Sequence, residues 1–138
     1  MRTPEQILQE TKTIALVGAS PNPNRPSHDV MRYLLARGYR VIPVRPDGDQ
    51  VLGLPSASSL AEIEEPIDLV DVFRREEAAP EHARQAVEAG AKAFWLQLGL
   101  HSPEARRIAT EGGLDYVEDL CTAVVHRGME GTNRGAQI

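Results

Sequence analysis

The sequence predicts an α/β fold: one Rossmann-like, doubly wound domain with a five-stranded, mostly parallel sheet and helices on both faces. Three observations lead there. Short apolar runs alternate with helix-patterned stretches along the whole chain, which calls for strand–helix–strand crossovers. The runs are apolar almost throughout rather than at every second position, as strands buried on both faces are. The first run ends in a lone glycine that opens into a small-residue turn and a helix start, where folds of this class place ligands. The expected strand order is 3-2-1-4-5 in chain numbering, preferred to 2-1-3-4-5.

Residues 4–11 read as a short helix, with Pro4 in its first turn and acidic Glu5 near the positive end. TIALV (13–17) is a buried strand ending at Gly18. From Ser27 the spacing changes. Val30, Met31, Leu34 and Leu35 recur at three and four, marking a helix face, and Gly38 is its stop. YRVIPV (39–44) is the second strand, followed by a loop with PDGDQ, an extended VLG and a weak helix at 58–63. IDLVDVF (67–73) is the third strand. The helix over 76–90 turns Ala79, Ala83, Ala86 and Val87 inward, and Pro80 implies that it begins near that point. KAFWLQLG (92–99), SPEARRIATEGG (102–113) and LDYVED (114–119) complete the pattern as strand, helix and strand. The domain is expected over residues 1–128, with a loose glycine-rich tail at 129–138.

A chain of 138 residues with 41% hydrophobic residues has room for one core. Its net charge of −5 argues against a nucleic-acid surface, which is clustered and basic. No apolar run approaches the roughly 20 residues of a membrane span. The start, MRTPEQILQETK, lacks the apolar stretch of a signal peptide. The single cysteine, Cys121, excludes an internal disulfide and suits a reducing cytoplasm, the expected location.

The longest strand-end loop, GASPNPNRPS (18–27), carries the most chemistry. Gly18 permits a tight turn, and Ala19 and Ser20 are small enough for a ligand to lie against the chain. The helix start behind them offers free N–H groups to an anion, and Arg25 adds a guanidinium suited to phosphate. Pro21, Pro23 and Pro26 donate no hydrogen bonds and stiffen the loop. The G-x-G-x-x-G fingerprint is absent, since Ser20 and Pro23 stand at its second and third glycines. The acidic residue that would hold a ribose is also missing; the second strand is followed by Arg45 and Pro46 instead. That arginine suits the 2′-phosphate of NADP or the 3′-phosphate of coenzyme A, and both stay open.

Taken together, IALVGASPNPNRPSHDVMRYLLARGYRVIPV, IDLVDVFRR and AKAFWLQLG resemble the stand-alone CoA-binding domain family. This family is similar to the N-terminal CoA-binding domain of succinyl-CoA synthetase alpha subunits and of ADP-forming acyl-CoA synthetases. The resemblance implies a Rossmann-type fold holding coenzyme A or an acyl-CoA across the carboxyl ends of the strands. It places Gly18, Ala19 and Ser20 at the nucleotide, and Asn24, Arg25, Pro26 and Ser27 around the phosphates. It brings Arg45 and Pro46 to the adenosine end, with Val72, Phe73 and Arg74 as walls and Gln97, Leu98 and Gly99 as floor. Two departures stand out. Family members often carry asparagine at the place of Arg45, and an Asp-Arg-Cys run where this chain has Asp119-Leu120-Cys121.

No nucleophile, base and orienting group assemble in the sequence, and neither the phosphohistidine part nor the nucleotide-grasp part of acyl-CoA synthetases is present. The reading is therefore a non-catalytic binding module, sensor or carrier with no resident metal. An NADP-binding enzyme or sensor and a protein-interaction module with a vestigial cleft are the alternatives. A homodimer or another protein partner stays open.

Overall fold

The computed structural model describes residues 1–137, with side chains described through Glu130. In chain order the elements are α1 (Pro4–Glu10), β1 (Thr13–Val17), α2 (Pro26–Ala36), β2 (Arg40–Val44), β3 (Leu69–Val72), α3 (Ala79–Glu88), β4 (Ala93–Leu96), α4 (Pro103–Glu111), β5 (Asp115–Val117) and α5 (Thr122–Gln137). Short 3₁₀ turns at Leu60–Glu62 and Glu76–Ala78 precede β3 and α3. The α/β class and the all-parallel five-stranded sheet agree with the expectation.

Local signals explain most boundaries. Thr3 accepts from the Gln6 N–H while the Gln6 side chain accepts from the Thr3 N–H, a capping box that starts α1. Pro80 sits in the first turn of α3. Gly38, at φ +92°, follows the end of α2.

Strand neighbours fill both faces in turn. Ile14, Leu16, Leu69, Ala93 and Trp95 pack toward α1, α2 and α5. Ala15, Val17, Val70, Val72, Phe94 and Leu96 pack toward α3 and α4. That two-sided burial is why the strands read as continuous apolar runs.

The strand order corrects the expectation: it is β2-β1-β3-β4-β5, not 3-2-1-4-5. All four residues of β3 are buried, so β3 takes a slot bonded on both edges, between β1 and β4. The outer edge of β2 is met instead by the irregular segment before β3. Ala57 donates to the Pro43 carbonyl and accepts from the Arg45 N–H, a single parallel bridge. A turn-rich segment carrying Pro55 can cover an edge but cannot serve as an inner strand.

The end of the chain also differs. The expected boundary at residue 128 falls inside α5, which begins at Thr122. His126 bonds the Tyr33 hydroxyl and lies edge-on to Tyr33 and Tyr39, and Glu130, expected in the tail, accepts from Tyr33 and Arg37. Position 138, the end of the expected loose tail, lies outside the described residues. Among the described residues no helix is long and apolar enough to cross a membrane.

Candidate functional site

In this sheet the crossovers change direction between β1 and β3, and a crevice opens at their carboxyl ends. It holds a cavity of about 440 Å³. The loop after β1 contributes Gly18, Ala19 and Ser20, and the start of α2 contributes Arg25, Pro26 and Ser27. The end of β2 adds Arg45, Pro46 and Asp47, and the end of β3 adds Phe73, Arg74 and Arg75. Asp47 and Arg75 line the cavity beyond the positions the resemblance implies.

Gly18 makes the crevice possible. Its φ is +88°, and a Cβ there would stand 2.8 Å from the Phe73 carbonyl oxygen and 2.9 Å from Arg74 Cδ. That carbonyl cannot retreat freely, because the Phe73 N–H is tied to the Val17 carbonyl at 2.8 Å. Gly18→Ala is therefore expected to cost about 1–3 kcal/mol in backbone strain alone. A melting temperature lowered by several degrees would register it; an unchanged one would show that the loop relaxes.

The loop folds on its own polar atoms. Asn22 N–H donates to Ser20 Oγ, and Asn24 N–H donates to the Asn22 side-chain oxygen. Asn24 thus supports the loop and does not line the cavity. No side chain caps α2, which begins with Arg25 as its N-cap and Pro26 in its first turn, so its positive end borders the cavity. Asp29, in the same turn, pairs with Arg32 at 3.9 Å and does not line the cavity.

The arginines divide into two kinds. Arg45 is engaged: it donates to the Ala19 carbonyl at 3.0 Å, lies 3.0 Å from Asp47 and 3.7 Å from Asp49, and its Nε is buried without a partner. Its charge is offset and it clamps the β1 loop to the β2 loop. Arg25, Arg74 and Arg75 have no side-chain hydrogen bond, ion pair or ring contact among the described residues. Arg106 and Arg127, the other arginines outside ion pairs among the described residues, lie over Tyr116 and Tyr33. Among the described residues, the guanidinium groups left without a partner thus converge on one cavity, in a chain of net charge −5.

A family described as the CoA binding domain matches residues 12–127. The chain belongs to the CoA-binding domain family. It is 45% identical over 122 residues to the uncharacterized protein YneT of Bacillus subtilis (strain 168), covering 88% of this chain and 90% of that one. A hypothetical protein from Pyrococcus horikoshii OT3 has a similar structure, with a TM-score of 0.86, 40% identity and 91% of each chain covered. The dinucleotide-forming acetyl-coenzyme A synthetase 1 of Ca. Korarchaeum cryptofilum, in its apo form, shares the fold at TM-score 0.66 and 23% identity; the match spans 76% of this chain and 25% of that one.

The remaining family-implied positions lie away from the cavity. Val72 is wholly buried in the core. Gln97 turns inward, donating to the Asp71 carboxylate and, at 3.0 Å, to Thr122 Oγ1. Leu98 is exposed, and Gly99 donates its N–H to Asp119 at 2.7 Å. The strand order explains this: β4 is one strand removed from the crevice between β1 and β3. His101 contacts Glu118 and Asp119 on the surface, which raise its pKa, and it does not line the cavity. Cys121 is a free thiol packed against the α1–α2–α5 side of the core.

Proposed function

We propose that this protein binds coenzyme A or an acyl-CoA at the crevice between β1 and β3, as a non-catalytic sensor or carrier. The observation that carries the reading is the convergence of three unpartnered guanidinium groups, Arg25, Arg74 and Arg75, on the cavity beside the uncapped start of α2. Coenzyme A brings a diphosphate and a ribose 3′-phosphate, the charges such a cluster would neutralise. Phe73, at the cavity wall, supplies apolar surface for the pantetheine arm. Arg45, being engaged with Asp47, is read as a clamp on the loops rather than as the principal phosphate ligand.

Isothermal titration with coenzyme A, 3′-dephospho-CoA and NADP tests this. Coenzyme A is expected to saturate one site, and loss of the 3′-phosphate to weaken it tenfold or more, about 1.4 kcal/mol. Saturation by NADP without saturation by coenzyme A would overturn the reading in favour of a dinucleotide.

A further inference from the structure

A second, smaller cavity of about 170 Å³ adjoins the first and shares Gly18, Pro46 and Arg74 with it. At ~30 Å³ per water molecule, that is the room of about five to six waters. Val17, Val44 and Leu60 give it apolar walls, and His82 and Gln85 enter from α3. Both ring nitrogens of His82 are shielded from solvent and, among the described residues, have no partner at hydrogen-bond geometry, although the Gln85 side chain lies close by. Such groups are rare in folded proteins and call for an explanation.

Burial, with the nearby Arg74 guanidinium, holds the His82 pKa below its ordinary value, against the opposing pull of the neighbouring Gln85 side chain and of Glu81. The ring is therefore neutral near pH 7, with one donor and one acceptor nitrogen. Gln85 brings an amide with both a donor and an acceptor to the same cavity.

We propose that this compartment receives the heterocyclic base of the ligand, and that His82 reads the edge of that base by hydrogen bonding. The proposal rests on the coenzyme A reading above. The chemistry matches an aminopurine: adenine presents an amino donor beside ring-nitrogen acceptors along one edge, and the apolar side chains of Val17, Val44 and Leu60 suit its faces. Arg74 is the movable part of the shared rim. Its side chain crosses Gly18, with Cδ 2.9 Å from the place of a Cβ, and among the described residues it has no hydrogen-bond or ion-pair partner. Drawn toward the phosphates, it uncovers the compartment and withdraws a positive charge from His82.

The test compares coenzyme A with 1,N6-etheno-CoA, whose base edge is blocked while its phosphates and arm are unchanged. Both ligands are titrated into the native protein, His82→Leu and His82→Gln. The native protein should prefer coenzyme A by tenfold or more. In His82→Leu that preference should collapse to within about threefold, by weakening of coenzyme A alone, whereas His82→Gln should retain part of it. Equal binding of both ligands to the native protein overturns the base-reading role and leaves the coenzyme A reading standing. So does a preference that persists in His82→Leu, which would mark steric exclusion of the larger base. Failure of both ligands to bind the native protein overturns the coenzyme A reading, and this inference with it. The ¹⁵N shifts of His82 in the native protein give an answer independent of any variant's folding. A shifted imidazole nitrogen at saturation with coenzyme A supports the contact, and unchanged shifts overturn it.

Discussion

Replacing Arg25, Arg74 and Arg75 together by alanine is expected to weaken coenzyme A binding about a thousandfold, roughly 4 kcal/mol by affinity arithmetic. Hydrogen bonds to charged groups contribute about 1.5–3 kcal/mol each, so one contact per arginine is enough. The same variant should fold as well as the native chain, because these side chains make no internal hydrogen bond or ion pair among the described residues. Removing three like charges from one crevice relieves repulsion rather than breaking contacts. Salt should matter too, since exposed charges are screened within about 10 Å at 0.1 M. The native protein is expected to lose affinity as salt rises, and the triple variant to lose much less. Arg107→Ala serves as a control: that arginine sits on α4 beside Glu111, away from the cavity, and should bind as the native chain does. Titration of all three proteins at two salt concentrations decides the matter. A triple variant within threefold of the native affinity would remove the phosphate role from this cluster.

Asp71→Asn is expected to abolish a loss of stability that the native chain suffers as pH rises from about 4 to about 7. Asp71 lies inside β3, fully buried, and the side chains donating to it are Gln97 and Thr122 rather than a cation. Burial raises its pKa from 3.8 to about 7, partly offset by those two donors. The folded state therefore keeps a proton that the unfolded chain releases near pH 4. The stabilisation linked to that proton is complete below the unfolded value and is lost as pH rises through the folded one. At 1.36 kcal/mol per unit, the loss amounts to a few kcal/mol. Asparagine keeps a carbonyl oxygen for Gln97 and an amide for Thr122 without the charge. Urea midpoints of both proteins between pH 5 and 8 isolate the effect, because the other carboxylates are common to both. The native curve should fall relative to the variant; parallel curves would mean that Asp71 is ionised throughout at little cost.

The elements themselves were largely legible. Runs such as TIALV and KAFWLQLG are apolar because both faces of the sheet are covered, and Pro80 and Gly38 mark a helix start and stop through their own backbone preferences. One helix was hidden. In α5, Ala123, Val125, His126 and Met129 recur at helical spacing, but the glycines at 131 and 135 made the stretch from 129 read as a tail. What holds that helix in place is distant in sequence: His126 and Glu130 meet Tyr33 and Arg37.

The candidate cavity was legible where it rests on one loop and its flanking strand ends. Gly18 through Ser20, Arg25 through Ser27, Arg45, Pro46, Phe73 and Arg74 do line one cavity. It was not legible where it depends on which strands are neighbours. An order of 3-2-1-4-5 puts the end of the fourth strand beside the first, and Gln97, Leu98 and Gly99 into the crevice. The observed order puts the end of β3 there instead. Arg45 gives the same lesson in charge, since Asp47 and Asp49 are near in sequence but only the folded loop closes them on the guanidinium.

The sequence by itself therefore determined the element types, the fold class and the chemistry available at each strand end. These follow from the periodicity and backbone preferences of a few adjacent residues. Only the tertiary structure decided which strand ends meet, which arginines stay unpaired and which histidine nitrogens are left dry. Those depend on how distant segments share sheet edges and charges, and no short stretch of chain encodes them.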